Sequence, residues 1–241
     1  MFHNRRTLSV FIGVSLGLSA QAMAQTCNIS QGDLFVPSIS KPDTINKKPG
    51  DYYLLSLSWS PQFCTTQPGQ SPKNKFQCQE NSFGFVVHGF WPQAAHAQSV
   101  ADHPRNCEQP TTVIAPKTLK DNLCTVPGIQ LMQDEWAKHG TCAYKTPEAY
   151  FGDIEKVVGA LHIPDVSGMA AKTKKKLNAG TLIQAFVAAN PGLTAADMQL
   201  NLKGSTLVEV HVCYSKALKF QACEPGANAN DSRPLTITPK N

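Results

Sequence analysis

Apolar residues recur along this chain in two rhythms. Over residues 51–60, DYYLLSLSWS, they run almost unbroken up to Pro61, which predicts a buried strand. FGFVVHGF, residues 83–90, is rich in Phe and Val and predicts a second strand, broken by Gly89 and Pro92 just past His88. STLVEVHVCYS, residues 205–215, alternates. Leu207, Glu209, His211 and Cys213 fall on one face and Val208, Val210, Val212 and Tyr214 on the other, so a third strand is expected. The helical rhythm is carried by Leu131, Met132, Glu135, Trp136 and His139, which predicts a helix from Ile129 to His139 stopped by Gly140. PEAYFGDIEKVVGALHI, residues 147–163, predicts an amphipathic helix opening at a favoured Pro, and TLIQAFVAAN, residues 181–190, another ended by Pro191. Residues 25–50 have few apolar positions and read as an irregular arm. Residues 65–82 read as a polar loop bracketed by Cys64 and Cys78, and 94–130, with many prolines, as loops and short helices. Strands mixed with helices, with no regular alternation and no internal repeat, favour an α+β fold over a doubly wound sheet.

The first 24 residues change the picture of what folds. Arg5 and Arg6 are followed by an apolar run, Leu8 to Ala20, and by the small-residue site Ala22-Met23-Ala24. That is the pattern of a removable secretory leader, with residues 25–241 remaining as a single domain. The apolar run is short for a membrane span, which needs about 20 residues. The net charge of +5 falls by the two arginines on removal of the leader; a mild basic excess permits a polyanionic partner without demonstrating one. All eight cysteines follow the leader, and an even count in an exported chain reads as disulfides. Zinc is the rival, but neither C-x-x-C nor H-E-x-x-H occurs, so no metal site is expected. Leader and cysteines together place the protein in the periplasm or outside the cell.

Two runs carry candidate chemistry. QDEWAKHGTC, residues 133–142, sets Glu135, Lys138 and His139 at helical spacing, so they share a face. A carboxylate, an ammonium and an imidazole together suit a charged reaction centre better than a core. The end of a helix carries partial negative charge, which on its own favours the imidazolium form of His139. FVVHGFWPQ, residues 85–93, ends its strand in His88, with Gly89 leaving room for close approach and Trp91 able to pack or to stack on a base. Two histidines with opposite roles and a cation suit cleavage of RNA by its own 2′-hydroxyl. Taken singly, each run has a plainer reading: a structural histidine on an apolar strand, and a surface helix with a weak exposed ion pair.

Taken together the runs resemble the two active-site segments of the ribonuclease T2 family. Its first has the form H-G-L-W-P, here HGFWP with Phe90 for Leu. Its second has the form E-W-x-K-H-G-T-C, here EWAKHGTC throughout. SWSPQFC, 58–64, and VHVCYSKALKFQAC, 210–223, are similar to further family segments, so the resemblance spans about 51–223. It implies an antiparallel sheet flanked by helices. It also implies an endoribonuclease that cuts single-stranded RNA, not DNA, with broad base specificity. Cleavage would leave 2′,3′-cyclic phosphates that are hydrolysed slowly, with no metal or cofactor and no membrane contact once the leader is gone. A monomer is expected.

By position in the motifs, the resemblance implies that His88 and His139 flank the scissile phosphate, that Glu135 and Lys138 stand beside them, and that Trp91 stacks on a base. The assignment favoured by the resemblance is His139 as base, assisted by Glu135, and His88 as acid; the helix-end argument favours the reverse. The resemblance also implies disulfides Cys64–Cys78, Cys107–Cys142 and Cys213–Cys223, with Cys27–Cys124 as the remaining pair. The basic run Lys172 to Lys176 reads first as a solvated face, and second as a phosphate track. His211 reads as structural, and His96, His103 and His162 as surface. A non-catalytic binding protein on the same scaffold is disfavoured because both histidines stand. A metal-dependent nuclease is disfavoured because its carboxylate and histidine clusters are missing from the sequence.

Overall fold

The buried strand predicted after Gly50 forms, and the sheet grows from both of its sides. The structure, a computed structural model, describes residues 27–240 apart from 67 and 173–176. The expected leader over 1–24 and the side chains of the basic run lie outside the described residues. Among those described, four strands form one antiparallel sheet: β1 Tyr52–Trp59, β2 Phe85–Gln93, β3 Met198–Lys203 and β4 Thr206–Tyr214, in the order β2-β1-β4-β3. Helices α1 Ser60–Phe63, α2 Pro116–Asn122, α3 Ile129–Lys138, α4 Pro147–Ala160, α5 Val166–Lys172 and α6 Ala179–Ala189 complete an α+β fold. The disulfides join Cys27 to Cys124, Cys64 to Cys78, Cys107 to Cys142 and Cys213 to Cys223.

The two faces of the sheet differ. Leu55, Leu57, Val87, Phe90, Val210 and Val212 pack with Met132 and Trp136 of α3, Tyr150 and Phe151 of α4, and Phe186 of α6 in one large core. On the other face small and polar residues line up across the strands. Ser56 pairs with Gly89 on one side and His211 on the other, and Ser58 and Asn201 both pair with Glu209. Directly opposed residues share a face, so this polar face gathers residues from all four strands.

Several expectations need correction. β2 does not stop at His88 but runs on through Pro92 to Gln93. It is an edge strand, where a residue without an N–H costs no bond to a further neighbour. The register slips between Ser56 and Leu57, which face Gly89 and Val87, so His88 is the extra residue of a β-bulge. β3 has no counterpart among the predicted elements. The strict alternation expected of β4 is broken by a second slip: Asn201 faces Glu209 but Leu202 faces Leu207, leaving Val208 extra. Leu207 therefore joins the core with Val210 and Val212 rather than sharing a face with Glu209. Bulges bend a strand and re-aim its side chains, and both lie at the polar face.

The arm is irregular, as expected, yet it is fixed. Gln130, Asp134 and Lys138 stand one turn apart on α3. They bond in order to Ser38, Ser40 and Asp43 of the arm. Cys27–Cys124 ties the start of the arm to the stretch before α3 across 97 residues, the kind of long loop whose closure constrains the unfolded chain most.

Candidate active site

α3 ends beside the bulge of β2, and its last turn delivers the second motif. The helix stops at Lys138 with His139 as its cap, the His139 N–H donating to the Glu135 carbonyl at 2.9 Å. Gly140 then packs against the Trp136 and Tyr150 rings, where a side chain would not fit. Glu135 is buried and accepts the indole N–H of Trp91 at 2.6 Å. A side chain at position 89 would be driven into the Glu135 carboxylate and the Trp91 Nε1, so glycine is required for this bond to form. The backbone N–H of Phe90 donates to the Tyr150 hydroxyl at 3.1 Å, pinning β2 to α4 just past the bulge.

Trp91 stands among three imidazoles, with ring centroids 5.3 Å from His88, 5.4 Å from His139 and 5.7 Å from His211. The structure thus brings His88, Trp91, Glu135 and His139 together. Lys138 stays close enough to act on the charge of both histidines, but its ammonium points to Asp43 of the arm, with Nζ 2.9 Å from Oδ2. Arg105 lies 3.8 Å from the same carboxylate oxygen. Asp43 is held down to about 2, chiefly by its bond to Lys138.

The two histidines of the motifs sit in opposite surroundings. His88, with 38% of its side chain exposed, places Nδ1 2.7 Å from Glu209 Oε1 and Nε2 3.6 Å from Glu135 Oε1. Burial works against its charged form, but the bond to Glu209 and the negative field of Glu135 outweigh it, and its pKa is raised. His139 is 9% exposed, and its Nδ1 is buried with no hydrogen-bond partner among the described residues. Burial first, then the positive charges of Lys138 and Arg105, push its pKa down to about 3. The partial charge at the helix end, which alone favours the imidazolium, is therefore overruled by desolvation. Burial also raises the pKa of Glu135, against the pull of His88 and the Trp91 bond.

Glu209 was not among the predicted site residues. One of its oxygens faces His88, while the other lies 3.2 Å from His211 Nε2 and accepts from Asn201 at 2.9 Å. Burial opposes its ionisation, but the bonds from His211 and His88 outweigh it and hold the carboxyl well below the usual range. A lone carboxylate on an otherwise apolar strand was the clue in the sequence. His211, read as structural, belongs to this cluster, with Nδ1 3.3 Å from Gln199 Oε1. Asp43 and Arg105 carried no such clue. Of the histidines read as surface, His96 and His162 are exposed, whereas His103 is half-buried and accepts the Ala94 N–H.

A cavity of about 290 Å³ opens beside His88, lined by Ser58, Gln62, Asn74, Leu131 and Glu209. Among the described residues no three His, Cys, Asp or Glu side chains are grouped to hold a metal ion, and no helix is long and apolar enough to cross a membrane.

Residues 50–223 match the Ribonuclease T2 family. The chain is 36% identical over 184 residues to a probable ribonuclease of Haemophilus influenzae, covering 74% of this chain and 62% of that one. It is 34% identical over 93 residues to a ribonuclease of Aeromonas hydrophila, covering 39% and 38%. The match thus spans less than two thirds of either relative. Among solved structures, an RNase-related protein from Calystegia sepium superposes with a TM-score of 0.61 at 20% identity, covering 80% of this chain and all of that one.

Proposed function

The chain belongs to the Ribonuclease T2 family, and on that premise we propose that it is an exported endoribonuclease cutting single-stranded RNA through the RNA's own 2′-hydroxyl. Residues 25–241 form the catalytic domain in this reading, after removal of 1–24. The observation that carries it is the opposed state of two imidazoles that both stand beside Trp91, at ring-centroid distances of 5.3 and 5.4 Å: His88 biased to its charged form and His139 to its neutral form.

A neutral His139 takes the proton of the 2′-hydroxyl. The oxygen attacks phosphorus, and the bond from phosphorus to the 5′-oxygen breaks as His88 gives that oxygen its proton. A 2′,3′-cyclic phosphate and a free 5′-hydroxyl result. In slow hydrolysis the roles reverse: His88, now neutral, activates water and His139 returns the proton. Lys138 steadies the charge on the crowded phosphorane, exchanging Asp43 for phosphate oxygens. Glu135 fixes Trp91 and adds to the negative field on His88. The ring of Trp91 offers a stacking face, and the cavity beside His88 has room for a nucleobase against amide and apolar walls, which supports broad base specificity.

Every group in this scheme comes from one chain, so a monomer suffices. DNA lacks the 2′-hydroxyl and would not be cut. The leader pattern and four disulfides support export to the periplasm or the medium.

The test is cleavage of a defined RNA in excess EDTA by the oxidised protein, beside its His139→Ala variant and a matched DNA. RNA-only cleavage leaving cyclic ends, lost in the variant, is the expected result. Loss of activity in EDTA, or equal cleavage of DNA, refutes the mechanism.

A further inference from the structure

We infer that Glu209 is a positioning residue for His88: it fixes the imidazole from its Nδ1 side, so that Nε2 is turned to the substrate. The inference rests on the reading of His88 as the proton donor.

The geometry is unusual enough to argue from. β2 and β4 are not neighbours; β1 lies between them. Even so, His88 of β2 reaches Glu209 of β4 at 2.7 Å. Three features allow it. His88 is the unpaired residue of the β2 bulge, which frees its side chain from the regular alternation. The β1 residue between them on that face is Ser58, opposite Glu209 and lining the same cavity, and a serine is small enough to be crossed. The register of β4 on β1 turns Glu209 and His211 to the polar side and Val210 to the core, and the slip at Val208 keeps Leu207 off that polar face.

Glu209 is itself held. Its second oxygen accepts from Asn201 and faces His211, whose other nitrogen faces Gln199, whose amide in turn donates to the Pro225 carbonyl at 2.7 Å. A chain of bonds from β3 and the C-terminal segment thus ends on one ring nitrogen of His88. A carboxylate on one nitrogen of an imidazole sets which nitrogen carries the proton at the other end, and it stabilises the imidazolium.

Among the described residues the charged and titratable groups around His88 are Glu209 and His211 from β4, Glu135 and Lys138 from α3, His139 at the end of that helix, and Lys203 of β3, which lines the same cavity. His139, by contrast, has no such partner on its Nδ1. Of the carboxylates near His88, Glu209 is the one at hydrogen-bond distance.

The experiment compares Glu209→Gln, Glu209→Ala and Asn201→Ala with wild type and His88→Ala, measuring kcat and KM on a dinucleotide from pH 4 to 9. Glu209→Gln keeps an acceptor but loses the charge. Its basic limb, where His88 loses its proton, is expected to move down by roughly one unit or more. Its kcat should fall about tenfold or more while KM changes far less. Glu209→Ala loses the acceptor as well and should fall further. Asn201→Ala, at an exposed position, leaves Glu209 in place but loosens it, and should shift the limb the same way by less. It decides the question if the Glu209 variants fail to fold. Unshifted limbs and wild-type kcat in every folded variant, with His88→Ala inactive, overturn the inference and leave the proposed function standing. Full activity in His88→Ala overturns the reading beneath both.

Discussion

His88 and His139 are the same side chain placed beside one indole, and the protein treats them oppositely. His88 sits on a strand bulge, half-buried, between two carboxylates. His139 caps a helix, buried, with a lysine and an arginine as the charges that act on it most and no partner for Nδ1 among the described residues. One site is built to keep a proton and the other to lack one. In the proposed scheme, then, the acid and the base do not differ in residue type. Desolvation with like charges, set against a bonded carboxylate, separates two identical groups about a common centre.

Four experiments test this contrast. The largest effect is expected from removing either histidine. His88→Ala and His139→Ala should each lower kcat by about 10²–10⁴-fold, and the double variant should lose little more, because two groups acting in one step are not additive. Additive losses would mean that they do not share a step.

Next is Gly89→Ala, which drives a methyl into the Glu135–Trp91 bond. Activity should fall at least tenfold and stability by about 1–3 kcal/mol, read from the urea midpoint. An unchanged kcat would mean that the indole need not be held.

Smaller again is an effect on stability. The folded pKa of His139, about 3, lies below its ordinary 6.5, so between these values the unfolded chain binds a proton that the folded one refuses. Stability is full above about 6.5 and declines as pH falls toward 3. His88, with a raised pKa, contributes with the opposite sign. His139→Leu should flatten the acid decline, measured as urea midpoints at several pH values; an unchanged slope would refute the neutral, buried state.

The smallest effect is expected of Asp43→Asn. Asp43 is 54% exposed, so its ion pair with Lys138 contributes at most about 1 kcal/mol to stability. Freeing the ammonium should lower KM for RNA a few-fold at low salt, and the gain should vanish at high salt.

The site was legible where chemistry is local. Glu135, Lys138 and His139 lie within one turn and a cap, so helical spacing alone put them together. HGFWP could be read only beside EWAKHGTC, as the pair of segments that resembles the family; alone, its histidine has a plainer structural reading. Glu209 and His211 were visible as polar positions in an apolar strand, but nothing local says that they face His88, since β1 separates the two strands. Asp43 was illegible because an irregular arm has no period from which to infer a neighbour. The missed strand β3 carries the Asn201 and Gln199 that hold the cluster.

What the sequence determined by itself is the set of short-range features: the rhythm of strands and helices, the turn at Gly140, and the residue types at the two motifs. These follow from propensity, period and spacing over a few residues. The state of those groups comes from the folded chain. The bulge that tips His88 and the β1–β4 register that places Glu209 arise from pairing between strands far apart in sequence. The proton preference of each histidine arises from burial and from charges on other elements. Electrostatic energy depends on distance and on solvent exposure, and neither quantity exists until the chain has folded.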